Sequence, residues 1–292
     1  MEVDSLKKGI NLWSIFGWSY KGEPPLEDIF KRISDIGFDG VEFVYDDGLL
    51  DPDRISKEAR RKYLEVCESL GLEICSVATG VFWRYNLGSP DEKVRRRGFK
   101  YLTKGIELAY DLEAPVLLVV PAVAIPEVPY SQIYETAIES LKKASRWAED
   151  YGVTIGVENV WNRLLYSPME FRRFIDSVGS PYVKAYLDIA NVVNYNHPEH
   201  WILELKGRIA CVHAKDFDLK VGNITGFRHL LKGSVDWPKM VKLLKEVGYD
   251  YYLVLETPPE FDPELKQPRY PEDGYKYAKY NLQALKRILG EK

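Results

Sequence analysis

Three carboxylates and one imidazole occupy matching places in the second half of this chain. Glu158 follows the apolar run of "TIGVEN", Asp188 that of "VKAYLDI", His213 that of "IACVHA" and Glu256 that of "YLVLE". Each is the first strongly polar residue after a short β-forming stretch. Taken singly, such a glutamate caps a helix or sits as a rim charge, and such a histidine is a satisfied polar group. Taken together they pose a physical problem. Three carboxylates gathered within a few ångströms repel one another and raise each other's pKa. A bound divalent cation removes that conflict. Oxygen-rich donors with one imidazole suit a fairly hard ion, Mn²⁺, Co²⁺ or Mg²⁺, with Zn²⁺ also accommodated.

Four such residues meet only if the scaffold brings four successive strand ends to one rim. The sequence alternates short apolar runs with longer amphipathic segments. Strands are predicted at 9–13, 40–44, 73–79, 115–120, 154–159, 183–189, 209–214 and 252–256. Helical spacing is read over 25–37, near 54–70, from about 91 to 111, over 132–151, from Pro168 to Val178, near 198–205, over 237–248 and from about 273 to 289. The strand runs are nearly continuous apolar, as in a parallel sheet buried on both faces. Eight strand–helix units predict an α/β fold, a (β/α)8 TIM barrel, with 1–292 as a single domain. An open doubly wound sheet is the structural alternative. In a barrel the strands' C-terminal ends form the active-site face. The Pro-rich stretch 256–273 after the eighth strand reads as a lid or subunit contact.

Composition narrows the partners. The 292 residues carry 40 Lys plus Arg against 44 Asp plus Glu, a net charge of −4, so neither nucleic acid nor an anionic membrane is expected as a partner. Cys67, Cys75 and Cys211 show no CxxC spacing and fit a reducing compartment. The opening "MEVDSLKKGINLW" does not read as a signal peptide, and no window holds 18 uninterrupted apolar residues. A cytoplasmic location is therefore expected.

The segments "GVENVWNRLLYSPMEFRRFID", "YLDIANV", "VHAKDF", "GSVDW" and "VLET" occur in an order and spacing that resembles the xylose-isomerase-like TIM barrels, most of all the branch of ketose 3-epimerases and L-ribulose/L-xylulose 5-phosphate 3-epimerases. The likeness runs from about Gly9 to the end and is most specific from Gly156 to Glu256. It implies that Glu158, Asp188, His213 and Glu256 bind one divalent metal and that Glu158 and Glu256 are the catalytic acid/bases. It implies a metal-dependent isomerase or epimerase that moves or inverts the proton α to the carbonyl of a ketose or ketose phosphate, through a metal-stabilised enediolate. Family members commonly pair as dimers or tetramers, so a homo-oligomer is expected.

The match has departures. Many ketose 3-epimerases carry a histidine three residues after the sixth-strand Asp; here it is Asn191, which can hydrogen-bond a sugar hydroxyl but cannot titrate. Leu219 falls near the place of an arginine found in some free-sugar enzymes, and no phosphate-binding Gly-rich nest is evident. Further substrate-binding candidates are Lys215, two residues after His213, and Arg163, Trp83 and Glu42. Their plainer readings are a surface lysine, a rim salt bridge, core packing and a pair with a barrel lysine. Ser234 or Asp236 before Trp237-Pro238 reads as a helix start. A dehydratase of cyclic polyols, inosose- or dehydroshikimate-dehydratase-like, uses the same four ligands and is the alternative function. An apurinic endonuclease needs several strand-end histidines, and a non-catalytic barrel would have lost a ligand.

Overall fold

The computed structural model describes residues 6–291; Met1–Ser5 and Lys292 of the expected single domain lie outside the described residues. Eight parallel strands close into a barrel: Lys7–Asn11, Gly40–Tyr45, Glu73–Thr79, Val116–Val119, Thr154–Glu158, Val183–Asp188, Ile209–Ala214 and Tyr252–Leu255. Each pairs with the next in sequence, and the eighth pairs with the first, Lys8 level with Leu253 and Ile10 with Leu255. Closure decides for the barrel over the open sheet. Among the described residues no helix is long and apolar enough to cross a membrane.

The helices form where caps and periodicity agree. Ser56 accepts from the Ala59 N–H at the start of Lys57–Ser69, Asp91 from Lys93 at the start of Glu92–Asp111, and Asp236 from Lys239 at the start of Trp237–Glu246. Asp236, not Ser234, is thus the cap in "GSVDWPK". Gly37 and Gly152 end their helices with φ of 105° and 67°, a region side chains resist. The first strand ends two residues earlier than the sequence predicts. Asn11 Oδ1 accepts the Trp13 N–H at 2.7 Å and turns the chain into a short helix, Trp13–Phe16. A two-stranded ribbon, Asp216–Phe217 with Phe227–Arg228, and a helix at Ile189–Val193 were also not predicted.

Two irregularities in the barrel decide which way particular side chains point. Val41 is level with Ile74 but Glu42 with Ser76, which makes Cys75 an extra residue in the third strand. Ala185 is level with Ile209 but Tyr186 with Cys211, which makes Ala210 an extra residue in the seventh. Successive side chains on a strand alternate in direction, and level residues on parallel neighbours share a face. The bulge at Ala210 therefore sets His213, rather than Val212, level with Asp188 and pointing the same way.

Candidate metal centre

Glu158 and Asp188 are the last residues of the fifth and sixth strands, His213 stands near the end of the seventh, and Glu256 follows the eighth, its N–H bonded to the Ala214 carbonyl at 3.3 Å. One ligand atom from each lies within 4.8 Å of the others, and all four side chains are buried. The ring nitrogen of His213 that faces the group is Nδ1, 3.4 Å from Glu158 Oε1, 3.7 Å from Glu256 Oε2 and 3.8 Å from Asp188 Oδ2. Asp188 is fixed by a second duty: its Oδ1 accepts the Asn191 N–H at 2.8 Å and caps the helix behind it.

The electrostatics follow from this crowding. Burial pushes the Glu158 carboxyl up to about 7; Glu256 and Asp188 add to the rise while His213 opposes it. Burial also raises Asp188, against the pull of Lys215. Lys215 is the internal countercharge. Its Nζ pairs with Asp188 Oδ2 at 2.5 Å and with Glu256 Oε2, and these carboxylates raise its pKa although burial alone would lower it. One ammonium paired with two of the three carboxylates leaves negative charge in a poorly solvated place. Three oxygen donors and one imidazole are the set a divalent cation fits.

Beneath these ligands lies Glu42. It is fully buried, does not line the cavity, and pairs with His213 rather than with a lysine. Strand alternation turns it into the barrel, where Oε2 accepts from His213 Nε2 at 2.7 Å. Burial would raise its pKa, but His213 together with the Tyr186 and Asn11 donors holds it low. His213 is in turn held well above its ordinary value by Glu42 and Glu256, although burial opposes this.

Above the ligands opens a cavity of about 890 Å³. Of the four, Glu158 and Glu256 reach its surface; Asp188 and His213 are sealed off at 0% exposure. Asn191, Lys215 and Trp83 stand in the wall as expected. Arg163 does not. It is exposed on a turn with φ of 61°, its N–H bonded to the Tyr166 hydroxyl at 3.0 Å. Asp216 is also outside the wall: its Oδ1 accepts the N–H groups of Phe217 and Val235 and pins the loop after the seventh strand. Sequence reasoning missed the aromatic walls, namely Trp13, Trp161, Phe227 and Phe261. The Trp161 indole is fixed by donating to the Asn191 carbonyl at 2.8 Å, and Phe227 and Phe261 stack at 5.3 Å. Trp161 lies three residues beyond Glu158, which is the signal that could have found it. Phe261 brings one residue of the stretch after the eighth strand into the cavity wall.

A family profile described as xylose isomerase-like TIM barrel matches residues 30–284. The chain belongs to this family. Among xylose isomerase-like barrels it is similar to L-ribulose-5-phosphate 3-epimerase UlaE of Salmonella heidelberg, 26% identical over 239 residues, covering 78% of this chain and 82% of that protein. Its fold is that of D-psicose 3-epimerase from Clostridium cellulolyticum H10, with a TM-score of 0.79 at 18% identity over 97% of this chain and 99% of that one. The fold is also that of IOLI protein with a bound zinc atom, with a TM-score of 0.77 at 18% identity, again over 97% and 99%.

Proposed function

We propose that this chain is a divalent-metal-dependent sugar epimerase or isomerase acting on a ketose or ketose phosphate. The observation that carries the reading is the division of labour within the ligand group. Asp188 and His213 are enclosed and out of reach of a substrate, whereas Glu158 and Glu256 also face the cavity. Removing and returning a proton next to a carbonyl takes a base and an acid placed about the reacting carbon. Glu158 and Glu256 come from strands three apart in the ring, so they approach from different sides, as inversion at one carbon requires. The elevated pKa of Glu158, about 7, suits a group that exchanges protons near neutrality. Trp83 and Trp161 offer faces for the C–H side of a sugar, and Asn191 a polar edge for its hydroxyls.

Glu158, Asp188, His213 and Glu256 would hold the cation: Mn²⁺, Co²⁺ or Mg²⁺ by donor type, with Zn²⁺ compatible. When bound, such an ion polarises a carbonyl and its neighbouring hydroxyl. The kinship with UlaE, whose name specifies a ketose 5-phosphate, supports the substrate class. The test is NMR of solvent deuterium incorporation into a panel of ketoses and ketose phosphates with added Mn²⁺. Exchange at one substrate carbon that is lost after EDTA and restored by metal is expected. Full exchange in a metal-free preparation refutes the reading.

A further inference from the structure

We infer that Glu42 is the positioning residue of the metal centre: it orients His213 so that Nδ1, not Nε2, is the metal-binding nitrogen. The inference rests on the proposed metal reading. His213 Nε2 lies 2.7 Å from Glu42 Oε2, and both side chains have no solvent exposure. Between a ring nitrogen and an ionised carboxylate the hydrogen must come from the ring, because the carboxylate only accepts. When a cation displaces the Nδ1 proton, the one ring proton left would sit on Nε2, and the Nδ1 lone pair would face Glu158, Glu256 and Asp188, now 3.4–3.8 Å away.

Glu42 can do this because it cannot turn away. Asn11 Nδ2 donates to Oε2 at 2.5 Å, and the Tyr186 hydroxyl and Ser76 Oγ donate to Oε1 at 2.5 and 2.8 Å. With His213 these make four donors for two oxygens, about the full capacity of a carboxylate. The donors come from the first, third, sixth and seventh strands, so four of the eight strands hold one side chain. The Cys75 bulge sets Ser76 level with Glu42, and the Tyr186 ring packs 4.5 Å from the His213 ring. A neutral acceptor would satisfy the Nε2 hydrogen equally well. A carboxylate in that place also makes the imidazole a more basic ligand, and such partners typically contribute 10–100-fold in metal affinity.

The experiment measures Mn²⁺ binding by the EPR signal of the free ion, so no turnover is needed. Wild type is compared with Glu42→Gln, which keeps shape but removes charge, and with Tyr186→Phe, which removes one of the bonds that hold Glu42. Expected are a 10–100-fold weaker Kd for Glu42→Gln and a smaller loss, roughly 2–5-fold, for Tyr186→Phe. In parallel, ¹⁵N-histidine-labelled wild type is loaded with ¹¹³Cd²⁺. The chain has four histidines, so the spectrum is assignable. A one-bond ¹¹³Cd–¹⁵N coupling to His213 Nδ1, with a retained Nε2–H, is expected. Coupling to Nε2 overturns the inference even if Glu42→Gln fails to fold. A folded Glu42→Gln that binds Mn²⁺ within twofold of wild type overturns it as well. If wild type binds neither metal, the metal reading itself fails and this inference falls with it.

Discussion

Glu158→Gln separates the demands of the metal centre from those of folding. In the folded chain burial lifts the Glu158 carboxyl from 4.5 to about 7. Between those values the folded state holds a proton that the unfolded state has released, so stability falls as pH rises from 4.5 to 7 and the loss is complete above 7. The shift from 4.5 to about 7, at about 1.4 kcal/mol per pKa unit, amounts to about 3 kcal/mol. Glutamine has the same shape and no such loss. In protein stripped with EDTA, the variant should match wild type near pH 5 and exceed it above pH 7.5 by about 3 kcal/mol, roughly 5–10 °C in thermal midpoint. Adding Mn²⁺ should reverse the order, because only wild type keeps the full donor set and gains by mass action. Proton exchange on substrate should fall by at least about 10²-fold in the same variant. Differential scanning fluorimetry across pH 5–8, with and without Mn²⁺, reads the first two effects. A stability gap that does not widen with pH, or Mn²⁺ stabilising both proteins equally, would refute the reasoning.

Three further outcomes are expected. Gly156→Ala places a Cβ about 3.0 Å from Tyr186 Cδ2 and 3.1 Å from its Cβ, so overpacking should cost about 1–3 kcal/mol and lower the melting midpoint; an unchanged midpoint would show that the Tyr186 ring has room to shift. His229 is held down at about 4 by burial, so below pH 6.5 the unfolded chain takes up a proton that the folded chain refuses; stability should drop by about 3 kcal/mol between pH 6.5 and 4, and urea titrations of His229→Gln should lack that component. Trp83 is 48% exposed in the cavity wall, so Trp83→Ala should leave the melting midpoint nearly unchanged while raising KM roughly tenfold, about 1.4 kcal/mol; an unaltered KM would remove it from the substrate surface.

Much of the fold and the ligand set was legible in the sequence because the barrel writes it twice. Each apolar run marks a strand, and the first polar residue after it marks the rim. Glu158, Asp188, His213 and Glu256 were therefore readable as a set. Glu42 was not, because a glutamate inside an apolar strand has the same pattern whether it faces cavity, lysine or histidine. Only the distance to His213, 171 residues away, settles it. Arg163 looked available because it follows a ligand strand, but a turn with positive φ carries it away from the wall. The wall itself was hidden for a different reason. Trp13 and Phe261 come from short helical turns near opposite ends of the chain, and nothing local marks them as lining one cavity.

The extra residue at Ala210 has an evolutionary and engineering consequence. It acts on side-chain direction as a single-base insertion acts on a reading frame: everything downstream in the strand changes phase. A relative that lost this residue would aim its histidine at the outer helices unless a second single-residue change restored the phase. Alignments of this family should therefore allow a one-residue gap inside the seventh strand, a place where gaps are normally penalised. A graft of "HAKD" onto another barrel transfers the ligand only if the out-of-step residue travels with it.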